Sequence, residues 1–123
     1  MILVDTSVWV DHLRRGDAAL SRLLDTGSVL THPFVIGELA LGRLRQRGVV
    51  LGSLRALPRA ETASDPEVLE FVERHALYAT GIGYVDAHLL AATRLTPGAS
   101  LWTRDGRLAA AAERLSLAAA ARR

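Results

Sequence analysis

Four acidic residues, Asp5, Glu38, Asp86 and Asp105, each sit where a strand ends or a helix begins, and each has apolar neighbours that ought to exclude a charge. One such acid is an ordinary helix cap. Four together point to one pocket for a divalent metal ion. Asp5 follows the apolar run Ile2-Leu3-Val4. The next residues, Thr6 and Ser7, can cap the helix themselves and leave Asp5 free. At 100° per residue Glu38 has Phe34 and Leu41 on one side and Val35 and Gly42 on the other, so an unpaired carboxylate there loses hydration. Asp86 lies beside Leu89, Leu90 and Thr93, in a first helical turn where the dipole favours an anion. Asp105 follows Trp102-Thr103-Arg104 and on its own reads equally well as an N-cap. Each acid keeps a blander alternative: a cap for Asp5 and Asp105, an acid swung out to solvent for Glu38, a buried Asp–Arg pair for Asp86.

If the four converge, their chemistry is restricted. Clustered carboxylates raise one another's pKa and cannot all ionise near neutrality without a cation. An all-oxygen donor set, in a chain with no cysteine, selects a hard ion, Mg²⁺ or Mn²⁺. Such ions keep positions for water and phosphate oxygens, which is the equipment for hydrolysing a phosphodiester. His12, His32 and His75 have no ligand spacing and read as surface or capping residues. His88, two residues from Asp86, points to a different side of its helix.

The elements that must position these acids follow from the apolar pattern. Met1–Val4 reads as a buried strand, followed by a helix through Val8–Arg15 that stops at Gly16. Asp17 caps a second helix closed by Gly27, and Ser28–Thr31 is the next strand. Pro33 opens a helix to about Arg47, Val49–Leu57 is a short helix, and Arg59–Thr62 is a weaker strand. Asp65 caps a helix to about Leu77 with Pro66 at its first position, and Gly81-Ile82-Gly83 leads into a helix over Tyr84–Arg94. Ser100–Thr103 is a strand, Gly106–Arg114 a helix, and a short strand near Leu117 closes the pattern. Short buried strands alternating with helices predict an α/β fold, a three-layer α/β/α sandwich on a mainly parallel sheet. Its ligand crevice lies beyond the carboxyl ends of the strands, where Asp5 and Asp105 fall. No repeat or linker divides residues 1–123, which read as one domain.

Composition removes several alternatives. All fifteen basic residues are arginine. Without lysine there is no P-loop, Schiff-base or kinase chemistry. A receiver- or phosphatase-like use of Asp5 is poorly supported too, because no second acid stands two residues after it. A net charge of +2 with abundant guanidinium groups suits phosphate contacts, although a GC-rich genome produces the same bias. Half the residues are hydrophobic and the mean hydropathy is +0.19, an apolar excess that suggests an interface with another chain. Neither a signal peptide nor a membrane span is legible, so a cytoplasmic location is expected.

The ordered set Ile2-Leu3-Val4-Asp5-Thr6-Ser7-Val8-Trp9, helical Glu38, Gly81-Ile82-Gly83-Tyr84-Val85-Asp86-Ala87 and Trp102-Thr103-Arg104-Asp105 resembles the PIN-domain nucleases. Within them it is most similar to the VapC ribonuclease toxins of bacterial toxin–antitoxin pairs. The resemblance implies a Rossmann-like sandwich and metal-dependent cleavage of RNA. It places Asp5, Glu38, Asp86 and Asp105 at the family's acidic positions and Thr6 or Ser7, and Thr103, at its hydroxyl positions. It further implies a VapB-like antitoxin that covers the acidic pocket, and a homodimer. Arg14, Arg15, Arg43 and Arg104, with Arg45 and Arg47, are candidates to hold the RNA backbone. The same residues would equip a housekeeping RNA-processing PIN nuclease, and a non-catalytic PIN-like RNA- or protein-binding module is the rival from another class. Arg43–Ala63 carries no motif.

Overall fold

In the computed structural model, which describes residues 1–120, three strands form a parallel sheet in the order β2-β1-β3. The strands are β1 (Ile2–Val4), β2 (Val29–Leu30) and β3 (Ser100–Trp102). Single parallel bridges, Thr31 to Arg59 and Leu101 to Ala118, extend the two edges. The helices are α1 (Thr6–Arg15), α2 (Ala18–Asp25), α3 (Pro33–Ala40), α4 (Arg47–Ala56), α5 (Asp65–Arg74), α6 (Tyr84–Leu95) and α7 (Gly106–Arg114). All of β1 is buried, as a strand covered on both faces of an α/β sandwich must be. The single domain was expected to run to residue 123; residues 121–123 lie outside the described residues.

This topology creates the crevice. After β1 the chain crosses by α1 and α2 to β2 on one side. After β3 it crosses by α7 to the Ala118 bridge on the other. The connections diverge between β1 and β3, which opens a cleft at their carboxyl ends. Register pairs Val4 with Trp102, so the residues that follow the two strands emerge side by side. The Asp5 amide donates to the Trp102 carbonyl at 2.9 Å and extends that pairing by one step.

Helix α6 is the central support. Every residue from Ala87 to Thr93 is buried, although a one-sided stripe was expected. Leu89, Leu90 and Ala92 join the main core, while Ala87 and Ala91 meet Val68 and Ala63. The alanines let α5 approach closely, and each fully buried leucine contributes about 1.5–3 kcal/mol. Its start is held by Gly81, whose φ of +86° favours glycine and where a Cβ would lie 2.9 Å from Arg107 Cδ.

Several boundaries differ from expectation for local reasons. The helix from Pro33 ends at Ala40 rather than near Arg47. Arg47 reaches back and donates to the carbonyls of Ala40 (2.5 Å) and Gly42 (3.3 Å), which satisfies the end of α3. Gln46, in the left-handed region at φ 52°, then starts α4 in a new direction. Ser64, not Asp65, caps α5: its hydroxyl accepts from Glu67 N while the Glu67 carboxylate accepts from Ser64 N. That helix ends at Arg74, short of Leu77. The segments near Arg59 and Leu117 pair through single bridges only.

Candidate metal centre

Asp5, at the end of β1, is buried, with 6% of its surface exposed. Its Oδ2 accepts from Ser7 Oγ at 2.7 Å, from Thr103 Oγ1 at 2.8 Å and from the Ser7 amide at 3.4 Å. Asp5 is therefore the N-cap of α1, and the expectation that Thr6 and Ser7 would relieve it of capping is overturned. The hydroxyls are themselves oriented. Ser7 Oγ accepts from the Arg104 amide and Thr103 Oγ1 from the Asp105 amide, both at 3.0 Å. Two amides of the β3–α7 turn thus point two hydroxyl protons at one oxygen of a carboxylate almost a hundred residues away in sequence. Such polarised chains strengthen each link.

Glu38 lies one and a half turns into α3, and Thr6 Oγ1 donates to its Oε1 at 2.6 Å. The crowding expected from its helical neighbours is absent. Glu38 is exposed, as is Leu41, so this carboxylate keeps its hydration. Helical spacing named the neighbours correctly, but this face of α3 looks outward. Asp105 caps α7 by accepting from Leu108 N at 2.9 Å, and it too is exposed.

Asp86 behaves as its position on α6 predicted. Half-buried, it accepts from the Gly83 amide through Oδ2 at 3.2 Å. Desolvation holds its carboxyl above the ordinary 3.8; the Gly83 bond opposes this, and the charges of Asp5, Asp105 and Glu38 reinforce it. That dependence shows all four acids sharing one electrostatic field. As the side chains lie, no three metal-binding groups among the described residues are close enough to grip one ion. Each carboxylate leans on its own donor.

The donor set nonetheless fits a hard divalent cation. Each acid commits one oxygen to the protein: Asp5 Oδ2, Glu38 Oε1, Asp86 Oδ2 and Asp105 Oδ1. Among the described residues, no hydrogen bond reaches the second oxygen of any of the four. Four oriented carboxylates, each with one open oxygen, have the donor chemistry that suits a hard divalent ion rather than a softer metal.

The arginines separate into two groups. Arg104 is bound to both Asp11 and Asp17, and its side chain lies 6.0 Å from the Trp102 ring centre. These contacts hold the Asp11 carboxyl below the ordinary range; for Asp17 the Leu20 amide contributes first and Arg104 further. Arg15 reaches Asp11 at 3.3 Å, and Arg47 closes α3. Arg14, Arg43 and Arg45 instead line a groove of about 850 Å³ that has Glu38 on its wall and Leu13, Leu39 and Leu44 as apolar lining. Sequence spacing offered no hint that Asp11 and Asp17 anchor Arg104.

Two histidines are more buried than surface residues would be. His32 caps α3 through Nδ1, which accepts from Phe34 N at 3.0 Å, yet it is almost fully buried. His88, also buried, meets Asp65 through Nε2 at 3.2 Å. His12 caps as predicted, its Nδ1 accepting from Asp17 N.

Comparison with known proteins agrees with this architecture. The PIN domain family matches residues 2–114. Ribonuclease VapC32 of Mycobacterium tuberculosis, in strains CDC 1551 / Oshkosh and ATCC 25618 / H37Rv, is 52% identical over 111 residues, 90% of this chain and 90% of the relative. No helix among the described residues is long and apolar enough to cross a membrane. With a family match over nearly its whole length and relatives of this identity, the chain belongs to the PIN-domain family.

Proposed function

We propose that this protein is a divalent-metal-dependent endoribonuclease, the toxin of a VapBC-type pair, and that Asp5, Glu38, Asp86 and Asp105 form its metal centre. The observation that carries the reading is the meeting of Asp5, Ser7, Thr103 and Asp105 beyond the carboxyl ends of the parallel strands β1 and β3, with Thr6 of the same turn bound to Glu38. The likeness to proteins named Ribonuclease VapC32 supports the substrate and the toxin role. Asp5, Asp86 and Asp105 would be the principal ligands of Mg²⁺ or Mn²⁺, and Glu38 would hold the ion directly or through water. When bound, the ion lowers the pKa of water and neutralises charge on the scissile phosphate.

The chain's own residues set the geometry. Ser7 and Thr103 hold Asp5 in one rotamer, and Thr6 does the same for Glu38. Partners of this kind typically change metal affinity or activity 10- to 100-fold, by roughly that factor per residue. Gly83 orients Asp86, whose charge is disfavoured by its partial burial. His88 faces Asp65 and away from this centre, so no imidazole serves as base here. Arg14 and Arg43, on the groove beside Glu38, hold the RNA backbone, and the same groove receives a VapB-like antitoxin. The apolar residues left exposed, Leu41 and Val49 among them, are covered in a homodimer or by the antitoxin.

The test incubates purified protein with structured RNA, with and without EDTA, beside Asp5→Asn. Cleavage is expected only for the unsubstituted protein with metal. Equal cleavage in all three samples overturns the mechanism. In a bacterial host, growth arrest relieved by Asp5→Asn and by a neighbouring small antitoxin supports the toxin role; harmless overexpression of active protein points to housekeeping.

A further inference from the structure

A second cavity, of about 320 Å³, opens between the start of α3 and the segment leading into α5. Its walls include Phe34, Arg59, Asp65 and His88. Two lining rings, Phe34 and His88, form a connected cluster with Tyr84, which stands beside the cavity. His88 lies 4.7 Å from Phe34 and 4.7 Å from Tyr84, centre to centre, edge-on to each. The imidazole is buried, but Phe34 is 39% exposed and Tyr84 47% exposed. A core cluster would have hidden both rings. Asp65 Oδ1 accepts from Tyr84 Oη at 2.9 Å and lies 3.2 Å from His88 Nε2, which ties the rings to the cavity wall. The Arg59 guanidinium makes no hydrogen bond or ion pair among the described residues.

The cavity also adjoins the acids. Phe34 precedes Glu38 by four residues on α3, which places both on one face of the helix. A strand passing over the carboxylates would meet these rings next. Single-stranded RNA is held by stacking splayed bases on exposed aromatic faces, with guanidinium groups on the adjoining phosphates. We propose that Phe34, Tyr84 and Arg59 form a subsite for one unpaired nucleotide of the RNA, the base against the aromatic rings and its phosphate on Arg59. The proposal rests on the ribonuclease reading and restricts the substrate to RNA unpaired next to the cleaved bond.

Nucleotide binding is measured by NMR on the unsubstituted protein in EDTA, so that it does not depend on cleavage. The probes are the four nucleoside 5′-monophosphates and, separately, inorganic phosphate. Saturable shifts at the rings of His88, Phe34 and Tyr84 are expected for at least one nucleotide and not for phosphate. Phe34→Leu and Tyr84→Leu, both at partly exposed positions, should each weaken that binding roughly 5- to 100-fold, the range seen when a stacking ring is removed. Absence of saturable shifts with every nucleotide, an equal response to phosphate alone, or undiminished binding by both variants overturns the subsite. If RNA is cleaved but nucleotides leave the cavity untouched, the subsite fails and the nuclease reading stands. If nucleotides bind here but no RNA is cleaved, the reverse holds.

Discussion

Replacing Asp86 by asparagine should stabilise the metal-free protein while removing its response to metal. The Asp86 carboxylate pays a desolvation cost that only the Gly83 amide offsets, and three neighbouring acids add to it. Asparagine is nearly the same size, can still accept from Gly83 N through its amide oxygen, and carries no charge. Because Asp86 is only half-buried, solvent screens the repulsion, and the gain belongs at the low end of functional-site substitutions, about 0.5–1 kcal/mol. For a domain of this size that corresponds to roughly 2–5 °C in Tm. The sign of the pH dependence follows from the raised pKa. Between the ordinary 3.8 and the higher folded value, the folded state binds more protons than the unfolded, so the unsubstituted protein loses stability as pH rises through that window. The advantage of Asp86→Asn should open across the same window, persist at neutral pH and vanish below 3.8. Metal reverses the order: a ligand at 100 times its Kd stabilises the protein that binds it by about 2.7 kcal/mol. Thermal melts of both proteins in EDTA and in saturating Mg²⁺ or Mn²⁺, over a pH series, make the measurement. A variant less stable than its parent in EDTA, or equal metal-induced shifts in the two, would refute the argument that four acids share one field built for a cation.

Three further predictions concern groups placed by the tertiary structure. Burial first, then His88 and Arg59, depress the His32 pKa from 6.5 to about 4, so stability should be fully present above pH 6.5 and lost as pH falls toward 4, by at most about 3 kcal/mol. Denaturant melts should show this slope, and His32→Asn, which retains a capping oxygen, should flatten it; an unchanged slope would be the contrary result. Arg104→Ala should lower stability by about 0.5–1.5 kcal/mol, more at low salt, because it releases Asp11 and Asp17 together. The pair Arg14→Ala and Arg43→Ala should instead leave stability nearly unchanged and reduce the salt dependence of RNA binding, by about 0.7 in the log–log slope per lost phosphate contact. Melts and salt-titrated RNA binding would reveal the opposite assignment if it holds.

The sequence alone determined what is written in short-range chemistry. Apolar runs bounded by caps placed β1, α2, α7 and the start of α6, because a strand's buried run and a helix's first turn are specified within a few residues. It also determined that Asp5, Asp86 and Asp105 stand at the starts of helices, and that Asp86 lies where charge is costly, whereas Glu38 falls one and a half turns into α3 and not at its start. Only the tertiary structure decided which faces look outward and which distant groups meet. Glu38 has the neighbours that helical geometry assigns it but stays exposed, its carboxylate accepting from the Thr6 hydroxyl. His32 and His88, unremarkable by spacing, are buried by elements far away in sequence. Arg104, legible as an RNA ligand, is taken up by Asp11 and Asp17, and Arg47 ends a helix that the local pattern would have continued. Local propensity acts over about one helical turn, whereas these contacts join residues up to 93 positions apart. What relates Asp5, Glu38 and Asp105 is of the second kind: their residue types were in the sequence, but the parallel register of β1 and β3 sets Asp5 and Asp105 side by side, and the Thr6 hydroxyl ties Glu38 to the same turn.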